Sequence, residues 1–140
     1  MKTSQASAPS AALDKALNWI VVEAQGAVAD LRRMIALDTS FPPGLGYDDF
    51  AELMEGFVAP LGFASERVAV PEALWRTAHG PAAGVRTNLL ASRGTGRPAC
   101  GIYFHVDTVP AAAGWKTDPL RMERDGDRLI GLGAADMKGC

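Results

Sequence analysis

Cys100-Gly-Ile-Tyr-Phe-His-Val-Asp-Thr-Val109 is a strongly apolar stretch whose polar side chains gather toward its C-terminal end. Alternate side chains of a strand share a face, so Tyr103, His105 and Asp107 project to one side and Ile102, Phe104 and Val106 to the other. The second set can pack under helices. His105 and Asp107 then emerge near the carboxyl end of the strand, where open α/β sheets bind their ligands. A neutral imidazole is the commonest metal ligand, and a carboxylate two residues on can accept its second ring N–H and fix the tautomer. A bare His-x-Asp is also met as an ordinary hydrogen-bonded histidine at a strand end, and as an isolated motif that reading is the commoner one.

Moving toward the C-terminus, Arg121-Met-Glu-Arg-Asp-Gly-Asp-Arg-Leu-Ile130 carries Asp125-Gly126 between two extended arms, the signature of a two-residue type I′ hairpin turn. Gly131-Leu-Gly-Ala-Ala-Asp-Met-Lys-Gly139 follows. Its glycines and alanines let the backbone approach a neighbour closely, and Asp136 stands among them as a lone carboxylate. Such a group can bridge two divalent cations or cap a following helix. A dinucleotide fingerprint is disfavoured because Asp136 occupies the third glycine position, where a carboxylate repels pyrophosphate. Lys138 is expected to start a helix and stay solvated.

Toward the N-terminus, residues 85–91 and the alternation at Val68 and Val70 predict strands. Residues 71–84 form an irregular connection holding Trp75 and His79, the latter read as a loop histidine. Asp49 and Glu52 have the form of a capping box. Phe50, Leu53, Met54, Phe57, Val58 and Leu61 follow at helical spacing until Pro60 and Gly62. Leu13, Leu17, Ile20, Ala24, Val28, Leu31 and Ile35 predict an earlier core-facing helix with a break at Gly26, after a mobile tail over residues 1–12. Helices first and strands after imply an α/β layered domain over residues 13–140.

The chain has 140 residues, 14 Lys or Arg and 16 Asp or Glu, for a net charge of −2. That length allows one domain at most, at about 100–200 residues per domain. The charge balance lacks the basic footprint of a nucleic-acid binder. No apolar run approaches the roughly 18 residues needed to span a membrane, and the first residues lack the apolar core of a secretory signal. Two cysteines, Cys100 and Cys140, form no disulfide framework and point to a reducing, cytoplasmic setting. Cys100 is expected to be a small buried hydrophobe.

Taken together, His105-Val-Asp-Thr-Val-Pro110, Gly114-Trp115, Asp118-Pro119, Asp125-Gly126 and Gly131-x-Gly-x-x-Asp-Met-Lys-Gly139 resemble the N-terminal part of a dizinc metallohydrolase family. That family includes acetylornithine deacetylase, succinyl-diaminopimelate desuccinylase, aminoacylases and glutamate carboxypeptidases. Pro42-Pro-Gly44 and Arg86-x-Asn88-Leu89 agree with it more loosely. The resemblance implies an α/β zinc-exopeptidase-like catalytic domain with a mixed sheet flanked by helices, of which this chain is the first portion. It implies two zinc ions, with cobalt or manganese as alternatives, and hydrolysis of an amide in an N-acyl amino acid or small peptide. It implies that His105 ligates one zinc, that Asp107 is a catalytic residue beside that ligand, and that Asp136 bridges both ions, with a cis Asp136–Met137 bond.

Phe104 stands where relatives often have glycine, and Leu132 where many have arginine. Relatives carry their general-base glutamate and remaining ligands beyond the Asp-Met-Lys-Gly motif, together with an inserted domain that often mediates homodimerisation. The 140-residue chain is therefore expected to be a truncated, inactive portion that binds zinc weakly. A non-catalytic α/β binding or structural module that retains the scaffold is the alternative.

Overall fold

The computed structural model describes residues 11–76, 82–97 and 100–140. The expected tail up to residue 10, and His79, lie outside the described residues. The chain divides after Asp30 into two units, with the boundary inside a helix.

The first unit carries α1 (Ala11–Val22) and the start of α2 (Ala24–Ile35). The break falls at Glu23 and not at Gly26. It is a slight one, because Glu23 N–H still bonds Trp19 O and Ala27 N–H still bonds Glu23 O. The apolar stripe of α1 does not form a core. No residue of α1 is buried, and Leu13, Leu17 and Ile20 remain about half exposed. Periodicity predicts a face, but burial needs an opposing surface, and the described part of this unit supplies none.

The second unit holds the core, made by Leu31, Ile35, Tyr47, Phe50, Ala51 and Met122. Helix α3 (Tyr47–Val58) buries Phe50 and Ala51 and packs on the strand Thr87–Ser92. It starts two residues before Asp49, so the expected capping box does not form. The residue at the helix start is Gly46, with no side-chain cap. A Cβ there would collide with the carbonyl of Asp38, so the site has room only for a glycine. A 3-10 turn, Ala59–Leu61, with Gly62 left-handed at φ 79°, ends the helix, in keeping with the Pro60 and Gly62 stop.

β1 (Ala64–Ala69) and β2 (Thr87–Ser92) pair antiparallel, with Ala64 opposite Ser92 and Ala69 opposite Thr87. The short α4 (Glu72–Trp75) leaves β1. β3 (Glu123–Asp125) and β4 (Arg128–Ile130) form the expected hairpin, displaced by one residue. The loop is Gly126-Asp127. Gly126 has φ 60°, and among the described residues no non-glycine residue has positive φ. One positive φ, at the first loop position, matches a type II′ turn and not type I′.

The 100–109 stretch departs most from expectation. It makes one isolated parallel bridge, Ser40 to Thr108, and no ladder. Ile102 and Tyr103 stay almost fully exposed, and Cys100 is exposed rather than buried. A strand exists through its partner's hydrogen bonds, and no described strand runs beside residues 100–107. The fold is α/β, with helices and, among the described residues, two small antiparallel sheets. No described helix is long and apolar enough to cross a membrane.

Candidate metal centre

Residues 106–108 are held by the loop that leaves α2. Thr39, fully buried, donates its hydroxyl to Val106 O at 2.6 Å. Thr108 N–H donates to Thr39 O, and Phe41 N–H to Thr108 O. The loop is itself folded by Asp38, whose Oδ1 accepts from both the amide and the hydroxyl of Ser40, at 2.9 and 2.6 Å, an Asx-type turn. These two donors, the hydroxyl first, hold the Asp38 carboxyl below its ordinary range.

This bracket presents His105. Its Nδ1 lies 3.2 Å from the carbonyl of Asp107 and 3.4 Å from Asp107 Oδ1. Asp107 is expected to orient the ring through its carboxylate; of its two oxygen atoms within reach of Nδ1, the nearer is the main-chain carbonyl. A carbonyl oxygen only accepts, so this contact suits the tautomer with its proton on Nδ1, which in a neutral ring leaves the Nε2 lone pair free. Nε2 lies 3.1 Å from Asp136 Oδ1.

Asp136 sits in residues 132–139, a succession of turns with no helix, so its capping role is not realised here. The Asp136–Met137 peptide is cis, as the resemblance implies. Gly133, at φ 79°, lies so close to Thr108 that a Cβ there would come within 2.7 Å of its Cγ2. The turns and the His105 segment are thus in direct contact.

Lys138 corrects an expectation. It starts no helix and is not solvated: it is 4% exposed, and its Nζ donates to Leu37 O at 2.9 Å. Burial pulls its pKa down to about 8, against the pull of Asp38. Neither this burial nor the Thr39 bracket is signalled by periodicity. The only hint was Asp38-Thr-Ser40 at a helix end, a side-chain turn pattern.

His105 and Asp107 also border a cleft of about 840 Å³, shared with Tyr47, Trp75, Arg86 and Tyr103. Arg86 is fixed by hydrogen bonds to the carbonyls of Pro43, Gly44 and Ala83. Its guanidinium lies 4.5 to 4.9 Å from the ring centroids of Trp75, Tyr47 and Phe41.

A neutral imidazole nitrogen and a carboxylate oxygen are both acceptors, and at 3.1 Å they call for a proton or a cation between them. Two ligands of a tetrahedral zinc, each about 2.0–2.2 Å from it, stand roughly 3.3 Å apart. The pair therefore fits one edge of a zinc site. Among the described residues, no group of three His, Cys, Asp or Glu comes together, so the fit is to part of a site.

No family model matches the chain. It is 48% identical over 60 residues to succinyl-diaminopimelate desuccinylase of Gluconobacter oxydans, covering 43% of this chain and 16% of that enzyme. It is 38% identical over 93 residues to acetylornithine deacetylase of Klebsiella pneumoniae, covering 66% and 22%. It is 35% identical over 109 residues to the desuccinylase of Rhodospirillum rubrum, covering 77% and 25%. The chain thus spans a quarter or less of the length of these curated relatives. Among solved structures, human carnosine dipeptidase 1 matches 94% of this chain and 29% of its own, with a TM-score of 0.65 and 26% identity. Sequence and fold agree on one lineage: this chain is a relative of the acetylornithine deacetylase and succinyl-diaminopimelate desuccinylase family, matched over part of its members' length.

Proposed function

We propose that this chain carries part of the metal site of a zinc-dependent hydrolase that cleaves an amide in an N-acyl amino acid or small peptide. The observation that carries this reading is the 3.1 Å approach of His105 Nε2 to Asp136 Oδ1, with Nδ1 turned to Asp107. The names of the relatives, a desuccinylase, a deacetylase and a dipeptidase, support the reaction class. N-acyl amino acids are favoured over peptides because Gly131-x-Gly-x-x-Asp-Met-Lys-Gly139 resembles the deacetylase branch.

In this reading His105 and Asp136 hold zinc. Bound zinc supplies Lewis acidity toward water and an amide carbonyl. Asp107 would keep the proton on Nδ1, which leaves the Nε2 lone pair available to a metal ion. Asp136, its side chain 85% exposed, has a second oxygen free for a second ion. Two donors fall short of the three protein ligands usual for a catalytic zinc. The 140-residue chain alone therefore binds zinc weakly and does not turn over substrate. The complete enzyme is proposed to be cytoplasmic and homodimeric.

The test is a zinc titration followed by the imidazole ¹⁵N resonances, with His105 assigned by their loss in His105→Ala. The Nε2 signal should shift while Nδ1 keeps its proton. A His105 ring that does not respond to zinc would overturn the reading.

A further inference from the structure

Lys138 is a buried ammonium, 4% exposed, two residues from the solvent-facing Asp136. Its Nζ lies 5.4 Å from the ring centroid of Phe50, itself 1% exposed, and donates to Leu37 O. An apolar side chain would fill the same hole without the desolvation an ammonium suffers. What the ammonium adds is a directed bond to one carbonyl. That carbonyl belongs to the loop that two residues later, at Thr39, grips Val106 and Thr108, which flank Asp107 and directly follow His105. One loop thus holds both halves of the pair, the His105 segment through Thr39 and the Asp136 turn through Lys138. The turn is tightly folded between these anchors. Lys138 N–H bonds Gly133 O, and Gly139 lies so close to the carbonyl of Ala134 that a Cβ would collide with it.

We propose that Lys138 is a positioning residue: its bond to the Leu37 carbonyl sets the distance between His105 Nε2 and Asp136 Oδ1. The consequence for metal affinity rests on the reading of these two residues as zinc ligands. The consequence for geometry does not.

The experiment compares the full chain with its Lys138→Met variant, using two readouts. Zinc affinity, by competition with a chromophoric chelator, should fall about 10- to 100-fold, as for other residues that orient ligands. In the zinc-free chain, the ¹⁵N resonance of His105 Nε2 should move in Lys138→Met in the same sense as in Asp136→Asn, with the far-UV circular dichroism unchanged. An unmoved His105 resonance, or a zinc affinity equal to that of the parent chain, overturns the proposal. If the parent chain takes up no zinc, the metal reading fails, and the zinc-free resonance alone decides the role of Lys138. Should the methionine variant not fold, Lys138→Arg keeps a donor on a different reach. It is then expected to move the same resonance, and an unmoved signal counts against the proposal.

Discussion

The hydroxyl of Thr39 and the carbonyl of Val106, 67 residues apart in sequence, meet in a 2.6 Å hydrogen bond inside the second unit. This bond fixes the main chain next to His105. Replacing Thr39 by Val keeps the shape but strands the Val106 carbonyl. A buried acceptor left without its donor costs about 1–3 kcal/mol. Urea denaturation of Thr39→Val should show that loss with an unchanged slope, and Thr39→Ser, which keeps the donor, should lose less. Equal midpoints for parent and Thr39→Val would remove the bracket from the account.

Gly133 faces Thr108 with a left-handed backbone. Gly133→Ala adds both a disfavoured φ and a methyl group against Thr108 Cγ2. Strain of this kind costs on the order of 1–3 kcal/mol. The variant should unfold at lower urea, and its His105 ¹⁵N spectrum should change because the Asp136 turn is pushed off its neighbour.

Acid stability provides a third check. The Ser40 hydroxyl and amide hold the Asp38 carboxyl below its ordinary 3.8. A depressed acid binds fewer protons when folded, so its stabilisation is full above about pH 4 and fades as pH falls through the lowered value. Asp38→Asn should flatten the fall of the urea midpoint across that acidic window. A parent and variant with parallel acid profiles would assign the acid sensitivity to other groups.

Arg86, the residue before β2, donates to the carbonyls of Pro43 and Gly44 in the loop at residues 41–46 and to that of Ala83 in its own segment, and its guanidinium lies over the rings of Phe41, Tyr47 and Trp75. Lysine has neither the planar fork nor the stacking face. Arg86→Lys should therefore destabilise the chain nearly as much as Arg86→Ala, by about 1–3 kcal/mol. Full retention of stability in the lysine variant would show that charge alone suffices.

How far these features were legible in the sequence depended on the kind of information each needs. Helix α3, the β1 and β2 strands and the hairpin follow from local periodicity and turn residues, and they formed. The hairpin slipped by one residue because Gly126, and not the Asp125-Gly126 pair, takes the positive φ. The 100–109 stretch has the composition of a strand, yet pairing is a property of two segments, and composition reports only one. The stripe at Leu13, Leu17 and Ile20 has helical spacing, and the helix formed without a core behind it. His105 and Asp136 stand out in the sequence through a motif resemblance, and their meeting is a long-range event that no spacing rule supplies. The burial of Lys138 ran against the usual preference of lysine for water, which only a specific carbonyl partner could override.

The most direct test of the central claim, that His105 and Asp136 share one metal ion, is the zinc affinity of the full chain beside His105→Ala and Asp136→Asn. The parent chain should bind zinc weakly, and each single substitution should abolish that binding. Variants that bind zinc as well as the parent would contradict the claim.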